Sequence, residues 1–359
     1  MPFSTSTYAL PLDYHLWRPP PEPDKPPLPY RSGFQFTARR VKPPPPFLAE
    51  YTDLPTGPFS RFLKEARFPD DNFLRTTTLV DYCLSTSSKP LPCELLEETA
   101  AFEVIREISV RDGSGRGGSQ VFTCRRQGWK ESLVAKVYDP LYYPFADEDF
   151  PCFPNDVVAK AEHDFCLETA AYYQLDKKFG GSLIPKFHGS WLLKVPLKHR
   201  HRFVGFVLLE HLDGVPLNTL SPKRYTQEER LRVLAQTMEA EVELRFAGVM
   251  HEDIAPRNVI CSGKDLSAKD LQVKIIDFNF VTIFPLLGDP APCASELLPE
   301  SPIEWFWGGW PGEMEEWVPE EWGTLEWNQW LKDTWGGSSR FKLVQEEHLT
   351  GVAEAVNNV

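Results

Sequence analysis

The alternation of apolar and polar positions becomes regular near residue 102. Three successive segments have the alternating pattern of strands: FEVIREISV, VFTCRR and SLVAKVYDP. A segment with helical spacing of its apolar residues follows, KAEHDFCLETAAYYQLDKKF. This order predicts a small antiparallel sheet accompanied by one helix.

A second regular stretch begins near residue 202. The continuous apolar run RFVGFVLLEHL has the length of a buried strand, and a long amphipathic helix is predicted over QEERLRVLAQTMEAEVELRFAGV, ending at a glycine. Two short strands are then predicted at NVICS and LQVKIIDF. Strands and helices in this order indicate an α+β fold.

The N-terminal hundred residues are rich in proline. Seven prolines lie between positions 19 and 29, and PPPP occupies 43–46. Because proline fixes φ and donates no backbone hydrogen bond, residues 1–100 are predicted to be an arm that is partly extended or disordered. The arm is interpreted as a spacer, and binding to an SH3 or WW domain is the alternative.

The C-terminal region combines tryptophan with acidic residues. Eight of the eleven tryptophans lie between 305 and 335, and no Lys or Arg occurs from 290 through 331. Tryptophans among carboxylates can bind a cationic ligand, but they more often pack a small helical subdomain against the rest of a protein. A protein partner that binds through the Pro-rich arm or the Trp-rich tail stays open.

The net charge limits the kinds of partner that are expected, and the cysteine content indicates the redox compartment. The net charge of −13 argues against nucleic acid and against an anionic membrane surface as partners. The seven cysteines include no C-x-x-C pair, which favours reduced thiols in a cytoplasmic or nuclear protein. No run of eighteen apolar residues occurs, so no membrane span is predicted.

Three polar residues near the end of the regular region match the needs of phosphoryl transfer. This chemistry depends on positioning and charge neutralisation, with a carboxylate to take the acceptor proton and oxygen ligands for Mg²⁺. In HEDIAPRN, Asp253 and Asn258 are close enough in sequence for one loop to carry both the base and a metal ligand. In VKIIDF, Asp277 ends a buried strand and provides a second oxygen ligand.

Further candidates precede this motif. Lys136 lies in a strand with apolar neighbours, and a buried lysine needs an anionic partner, for which Glu168 on the following helix is the candidate. Glycines allow a tight turn whose backbone can approach phosphate: Gly113, Gly115, Gly117 and Gly118. Each signal is weak alone, and the combination in this order is far more specific.

From about 103 to 285 the sequence resembles the protein kinase superfamily, and specifically the atypical kinase-like proteins common in filamentous fungi. HEDIAPRN and IIDFN stand where H-R-D-x-x-x-x-N and D-F-G stand in ordinary kinases. The resemblance implies a two-lobed fold, with an N-lobe of antiparallel sheet plus one helix and a mainly helical, shortened C-lobe. The implied boundaries are 101–212 for the N-lobe and hinge, 213–340 for the C-lobe with the Trp-rich subdomain, and 341–359 for a tail.

The resemblance also implies a Mg·ATP site. In it, Lys136 contacts the α- and β-phosphates and pairs with Glu168, Asp253 is the catalytic base, and Asn258 and Asp277 bind Mg²⁺. The segment LLEHL resembles the hinge that holds adenine. There Leu209 lies behind the base, and the backbones of Glu210 and Leu212 hydrogen-bond to it. His251 is expected to support the loop.

Several departures keep three functions open. Glu252 replaces the arginine that receives an activation-loop phosphate, Asn279 replaces the glycine of D-F-G, the glycine turn is out of register, and no A-P-E follows Asp277. The leading prediction is an active phosphotransferase with an unknown acceptor, a small molecule being slightly favoured over a protein. The alternatives are a weak or inactive pseudokinase that binds nucleotide or acts as a scaffold, and a fold reused for other chemistry such as nucleotidyl transfer.

Overall fold

A computed structural model of the protein describes residues 17–47, 71–86, 91–113, 117–146, 152–262, 266 and 270–344. The chain divides into two units. The first comprises the described residues up to Cys166 together with Gly189–Leu208, and the second comprises Leu167–His188 and the described residues from Leu209 onward.

Among the described residues, the first unit is built on six strands, and the first two residues of β5 and the last two of β6 extend into the second unit. Their bounds are β1 Gln35–Lys42, β2 Glu94–Ser109, β3 Gln120–Arg126, β4 Ser132–Tyr138, β5 Phe187–Leu197 and β6 Arg200–Glu210. They form a closed sheet in the order β1-β2-β3-β4-β6-β5. The pairings of β1 with β2 and β5, of β2 with β3, and of β3 with β4 are antiparallel. The predicted antiparallel sheet is therefore confirmed.

In chain order, the first two helices lie between β1 and β2, the third lies between β4 and β5, and the others follow β6. Their bounds are α1 Asp71–Thr76, α2 Leu79–Thr86, α3 Val157–Phe179, α4 Gln227–Phe246, α5 Pro302–Phe306 and α6 Thr324–Trp335. The residues of α3 belong partly to each unit. The long helix α4 begins at a capping box in which Thr226 and Glu229 bond to each other's backbone amides. With sheet and helices both present, the α+β class is confirmed, while the two-lobed arrangement stays a prediction.

The N-terminal segment differs from the predicted arm. Residues 35–42 form β1, which closes the sheet by pairing with β2 on one side and β5 on the other. Its side chains alternate between exposed and buried, with Phe36, Ala38 and Val41 in the core. The predicted boundary at residue 101 lies inside β2, because that strand begins at Glu94 and pairs with β1 from Glu94 to Glu103.

The second unit contains five short strands besides its helices: β7 Gly214–Pro216, β8 Val249–His251, β9 Val259–Ser262, β10 Val273–Ile275 and β11 Val281–Ile283. They form one sheet in the order β10-β9-β7 and a two-stranded sheet of β11 with β8. These small sheets fix the segments that carry the HEDIAPRN and IIDFN motifs.

The Trp-rich region packs onto α4. Trp317, Trp327 and Trp335 are buried, and the indole N–H of Trp335 donates to Glu239 Oε1 of α4 at 2.9 Å. The guanidinium of Arg245, also on α4, lies 3.4 Å from the ring centroid of Trp305. These contacts support the interpretation of the tryptophans as packing anchors.

Neither disulfides nor membrane-spanning helices are found among the described residues. All seven cysteines lie among them, and no disulfide joins any of these. Within the same ranges, no helix combines the length and the apolar character needed to span a bilayer.

Candidate functional site

The HEDIAPRN loop begins at a buried histidine. His251 ends β8, its Nε2 donates to the carbonyl of Ile276 at 3.1 Å, and its Nδ1 accepts from the amide of Asp253 at 3.2 Å. This pair of bonds assigns the ring proton to Nε2. Burial lowers the pKa of His251, so the ring stays neutral and serves to join the two motif loops.

Asp253 and Asn258 are held against each other. The Nδ2 of Asn258 donates to the backbone carbonyl of Asp253 at 2.8 Å and to its Oδ2 at 2.8 Å. This hydrogen bonding fixes which end of the amide faces Asp253 and leaves Oδ1 of Asn258 as the acceptor atom. One short loop thus presents a carboxylate and an amide oxygen together, as the sequence spacing predicted.

Asp277 follows the strand that pairs with this loop. Ile275 of β10 lies opposite Val259 of β9, and the amide of Ile276 donates to the carbonyl of Asn258 at 2.9 Å. The backbone of Asp277 has a φ of 70°, in the left-handed region that non-glycine residues rarely adopt. Such a conformation costs energy and is found preferentially at functional sites.

An aromatic series connects helix α3 with both motif loops. The ring centroids of Tyr172 and Phe278 are 5.2 Å apart, and those of Phe278 and His251 are also 5.2 Å apart, each pair edge to face. Burial raises the pKa of Tyr172, and the charges of Glu168 and Asp277 add to this effect. The carboxylates of Glu168 and Asp277 are therefore both within electrostatic range of the Tyr172 hydroxyl.

Sequence reasoning missed an arginine in this loop. Arg257 forms a salt bridge from Nη2 to Oδ1 of Asp253 and a second one from Nη1 to Oε2 of Glu313, at 2.5 Å. Because Arg257 lies inside the motif next to Asn258, its position in the sequence could have identified it as a site residue. Nothing in the local sequence marks Glu313, because it reaches the loop from the Trp-rich region.

Lys136 belongs to the first unit. It lies on β4 opposite Val121 of β3, is only 5% exposed, and has its Nζ 5.7 Å from the ring centroid of Tyr138. The cation–π contact gives a buried ammonium partial compensation within its own unit. The pairing of Lys136 with Glu168 and the contact of Lys136 with phosphates stay predictions.

The glycine turn is packed against its own unit. Gly113 has a φ of 93°, and the Nζ of Lys25 donates to the carbonyl of Asp112 at 2.6 Å. A Cβ on Gly118 would overlap the ring of Tyr143. Close packing of the chain on itself therefore accounts for glycine at 118, and Gly115 lies outside the described residues.

The predicted hinge has two of its groups already engaged. The amide of Glu210 donates to the carbonyl of Lys186 at 2.9 Å, and its carboxylate accepts from Lys274 Nζ at 3.2 Å. The predicted adenine contact would therefore use the carbonyl oxygen of Glu210. Leu209 is buried and Leu212 is half-buried, and the contact of these three residues with adenine stays a prediction.

The candidate donor set fits magnesium rather than zinc. Among the described residues, no three His, Cys, Asp or Glu side chains are grouped so as to hold a metal ion. Asn258 and Asp277 instead offer an amide oxygen and a carboxylate on adjacent backbone segments. Mg²⁺ in phosphoryl-transfer sites is held by one or two such protein oxygens, with phosphates and water completing its octahedron.

Comparison with known proteins gives one kind of match. No protein-family model matches the chain, and no curated protein matches it. Kinase domains of PknI from Mycobacterium tuberculosis are among the solved structures that match. A mutant form is 15% identical, covers 50% of this chain and 60% of that domain, and has a TM-score of 0.33. The unmutated domain is 15% identical over 50% of this chain and 58% of its own length, with a TM-score of 0.32.

The matched region thus spans less than two thirds of those kinase domains. The structural neighbours are protein kinase domains, whereas the resemblance to fungal atypical kinases stays a prediction. Similarity at this TM-score carries no argument about activity, so function is inferred below from the residues of this chain.

Proposed function

We propose that the protein is a Mg·ATP-dependent phosphotransferase of the protein kinase-like type. The observation that carries the proposal is the contact of Asp253 with Asn258 and of Asn258 with Ile276, the residue before Asp277. The base and both oxygen ligands that phosphoryl transfer needs are therefore supported by one hydrogen-bonded framework.

Asp253 has the role of base. Its carboxylate accepts the proton of the acceptor hydroxyl while that oxygen forms the bond to the γ-phosphorus and ADP departs with the electrons of the broken bond. Asn258 and Asp277 would hold Mg²⁺, which when bound neutralises charge on the transferring phosphates. Asn258 has a second part, because its Nδ2 keeps the Asp253 carboxylate oriented.

Lys136, Glu168 and the glycine turn complete the proposed nucleotide site. Lys136 is assigned to the α- and β-phosphates and Glu168 to the ammonium of Lys136. The acceptor hydroxyl is assigned to a small molecule, slightly in preference to a protein. Past β11, the described chain consists only of short helices and turns, a limited platform for a protein substrate.

The test is a thermal shift with Mg·ATP, followed by ATP turnover on the same samples. With Mg·ATP at a hundred times its Kd, the free energy of unfolding of the wild type should rise by about 2.7 kcal/mol. Asp277→Ala should lose this Mg²⁺-dependent gain, and Asp253→Asn should retain it while losing turnover by about 10²- to 10⁴-fold. If Lys136→Met hydrolysed ATP like the wild type, the assignment of the phosphate site would be wrong.

The second candidate function is a pseudokinase that binds nucleotide or acts as a scaffold. It is favoured by the close packing of the glycine turn on Tyr143 and Lys25, which engages this turn in contacts of its own unit. For a pseudokinase that binds nucleotide, wild type and Asp253→Asn would both show the thermal shift and neither would turn over. For a scaffold that binds no nucleotide, wild type would show no thermal shift. The location of the protein, in cytoplasm or nucleus, stays a prediction.

A further inference from the structure

A segment of the Trp-rich region, residues 312–314, contacts the HEDIAPRN loop directly. The amide of Glu313 donates to the carbonyl of Ile254 at 3.0 Å, and Met314 is fully buried. A Cβ on Gly312 would overlap the same carbonyl oxygen of Ile254. The backbone of this segment, which we call the 312–314 contact, is therefore fixed on the loop within one residue of Asp253.

The contact aims the Glu313 side chain at Arg257. The Nη1 of Arg257 lies 2.5 Å from Oε2 of Glu313, and its Nη2 lies 3.4 Å from Oε1. Two parallel N–H···O bonds of this kind set the orientation of the guanidinium plane.

Arg257 passes this orientation on to Asp253. Its Nη2 bonds Oδ1 of Asp253, while Oδ2 accepts from Asn258 Nδ2 at 2.8 Å. With a fixed donor on each oxygen, the plane of the Asp253 carboxylate is determined. Without Glu313, the guanidinium of Arg257 would keep, among the described residues, only its bond to Oδ1 of Asp253.

Stability does not explain this arrangement. The side chains of Arg257 and Glu313 are 45% and 65% exposed, and ion pairs with such exposure stabilise a fold very little. Orientation is a different matter, because small displacements of a reacting group reduce turnover strongly. An exposed pair that contributes little to folding can therefore matter greatly for the base.

We propose that Glu313 is a positioning residue: through Arg257 it holds the carboxylate of Asp253 in the orientation that receives the acceptor proton. The proposal rests on the phosphotransferase function proposed above. It makes the Trp-rich region part of the reaction site, although that region carries no residue of the kinase motifs.

The first test compares Glu313→Gln with Glu316→Gln, an exposed neighbour that undergoes the same change in charge. Glu313→Gln should lower kcat by roughly tenfold, well below the largest losses seen for misplaced groups. The KM for ATP and the melting temperature should stay those of wild type. Glu316→Gln should match wild type in all three quantities. Unchanged kcat in Glu313→Gln would overturn the proposal.

A double-mutant cycle shows whether Glu313 acts through Arg257. In an Arg257→Ala background, adding Glu313→Gln should reduce kcat no further, because the bridge is already absent. Independent losses that multiply would show that Glu313 does not act through Arg257 and would overturn the proposal.

A readout besides turnover separates this proposal from the phosphotransferase function. Amide hydrogen exchange in residues 252–258 should become faster in Glu313→Gln and stay unchanged in Glu316→Gln. If wild type failed to hydrolyse ATP, the proposed function would fail, and faster exchange would still support the hold of Glu313 on the loop. Exchange equal to that of wild type would overturn it.

Discussion

Each unit of the protein contains an aspartate paired with an arginine, and the two pairs differ in their exposure to solvent. In the first unit, the side chains of Asp139 and Arg202 are 0% and 2% exposed. In the second unit, those of Asp253 and Arg257 are 32% and 45% exposed. The ionic groups are the same, so the surroundings decide what each pair does.

The buried pair is fully satisfied. Arg202 donates to both oxygens of Asp139, from Nε at 3.0 Å and from Nη2 at 2.8 Å, and Tyr30 Oη donates at 2.7 Å. Burial raises the pKa of Tyr30, and the charge of Asp139 raises it further. A carboxylate enclosed by fixed donors has no access to a substrate, so this network serves the fold and ties the N-terminal segment at Tyr30 to the sheet.

The exposed pair has the opposite properties. Asp253 has a fixed donor on each oxygen, yet a third of its side chain is open to solvent. It is therefore oriented and accessible at the same time, which is what a base requires. The comparison shows that chemistry is expected where an ionic network is ordered but incompletely covered.

The largest expected effect comes from the same substitution made at both aspartates. Asp139→Asn should reduce the free energy of unfolding by about 3–5 kcal/mol, because it leaves Arg202 charged and buried without its partner. Asp253→Asn should reduce it by less than about 1 kcal/mol, since its ion pair is exposed. Denaturant unfolding measures both, and equal losses at the two positions would refute the comparison.

A third carboxylate is buried like that of Asp139 but is only partly hydrogen-bonded. Glu241 on α4 is buried, accepts from the indole of Trp305, and has an Oε2 with no hydrogen-bond partner among the described residues. Burial raises its pKa from its ordinary 4.5 to about 7, against the opposing effects of Trp305 and Arg245.

The folded state therefore holds a proton that the unfolded state has released between these two pH values. The free energy of unfolding should fall as pH rises from about 4.5 to about 7, by at most about 3 kcal/mol at 1.36 kcal/mol per pKa unit. Glu241→Gln should lose this part of the pH dependence, whereas Glu228→Gln, exposed on the same helix, should keep it. Unfolding curves at several pH values decide between the two outcomes.

The smallest expected effect concerns Tyr172. Its hydroxyl is buried and makes no hydrogen bond to the described part of the chain. Tyr172→Phe should therefore leave stability unchanged or raise it by about 1 kcal/mol, because an unsatisfied polar group is removed and the ring contacts with Phe187 and Phe278 remain. A loss of more than about 1 kcal/mol would reveal a partner of this hydroxyl and is measured by the same unfolding experiment.

The core of the candidate site was predictable because it is local. Asn258 directly precedes β9 and Asp277 closely follows β10, and these strands pair with each other, so the proximity of the two backbone segments follows from two strand patterns and one connection. The two long helices were likewise predicted from the sequence, and α3 and α4 are confirmed as helices. In these segments the apolar spacing and the position of the motif lead to one local arrangement.

Other features were not predictable because their partners are far away in sequence. The segment QFTARRVK lies between proline-rich stretches, and it becomes a strand through pairing with β2 and β5. Glu94–Ala100, whose glutamates and leucines suit a helix, is extended because it pairs with β1. Glu313 reaches Arg257 only because the region around it packs on α4 and on Ile254.

The sequence by itself determined the α+β class, the main helices and the grouping of a base with two metal-binding candidates, since each depends on residues close together along the chain. Only the tertiary structure decided that Asp139 is buried and Asp253 is partly exposed, how β1 closes the sheet, and which glutamate orients Arg257. These outcomes depend on burial and on contacts between distant segments, and neither the charge nor the type of a residue specifies them.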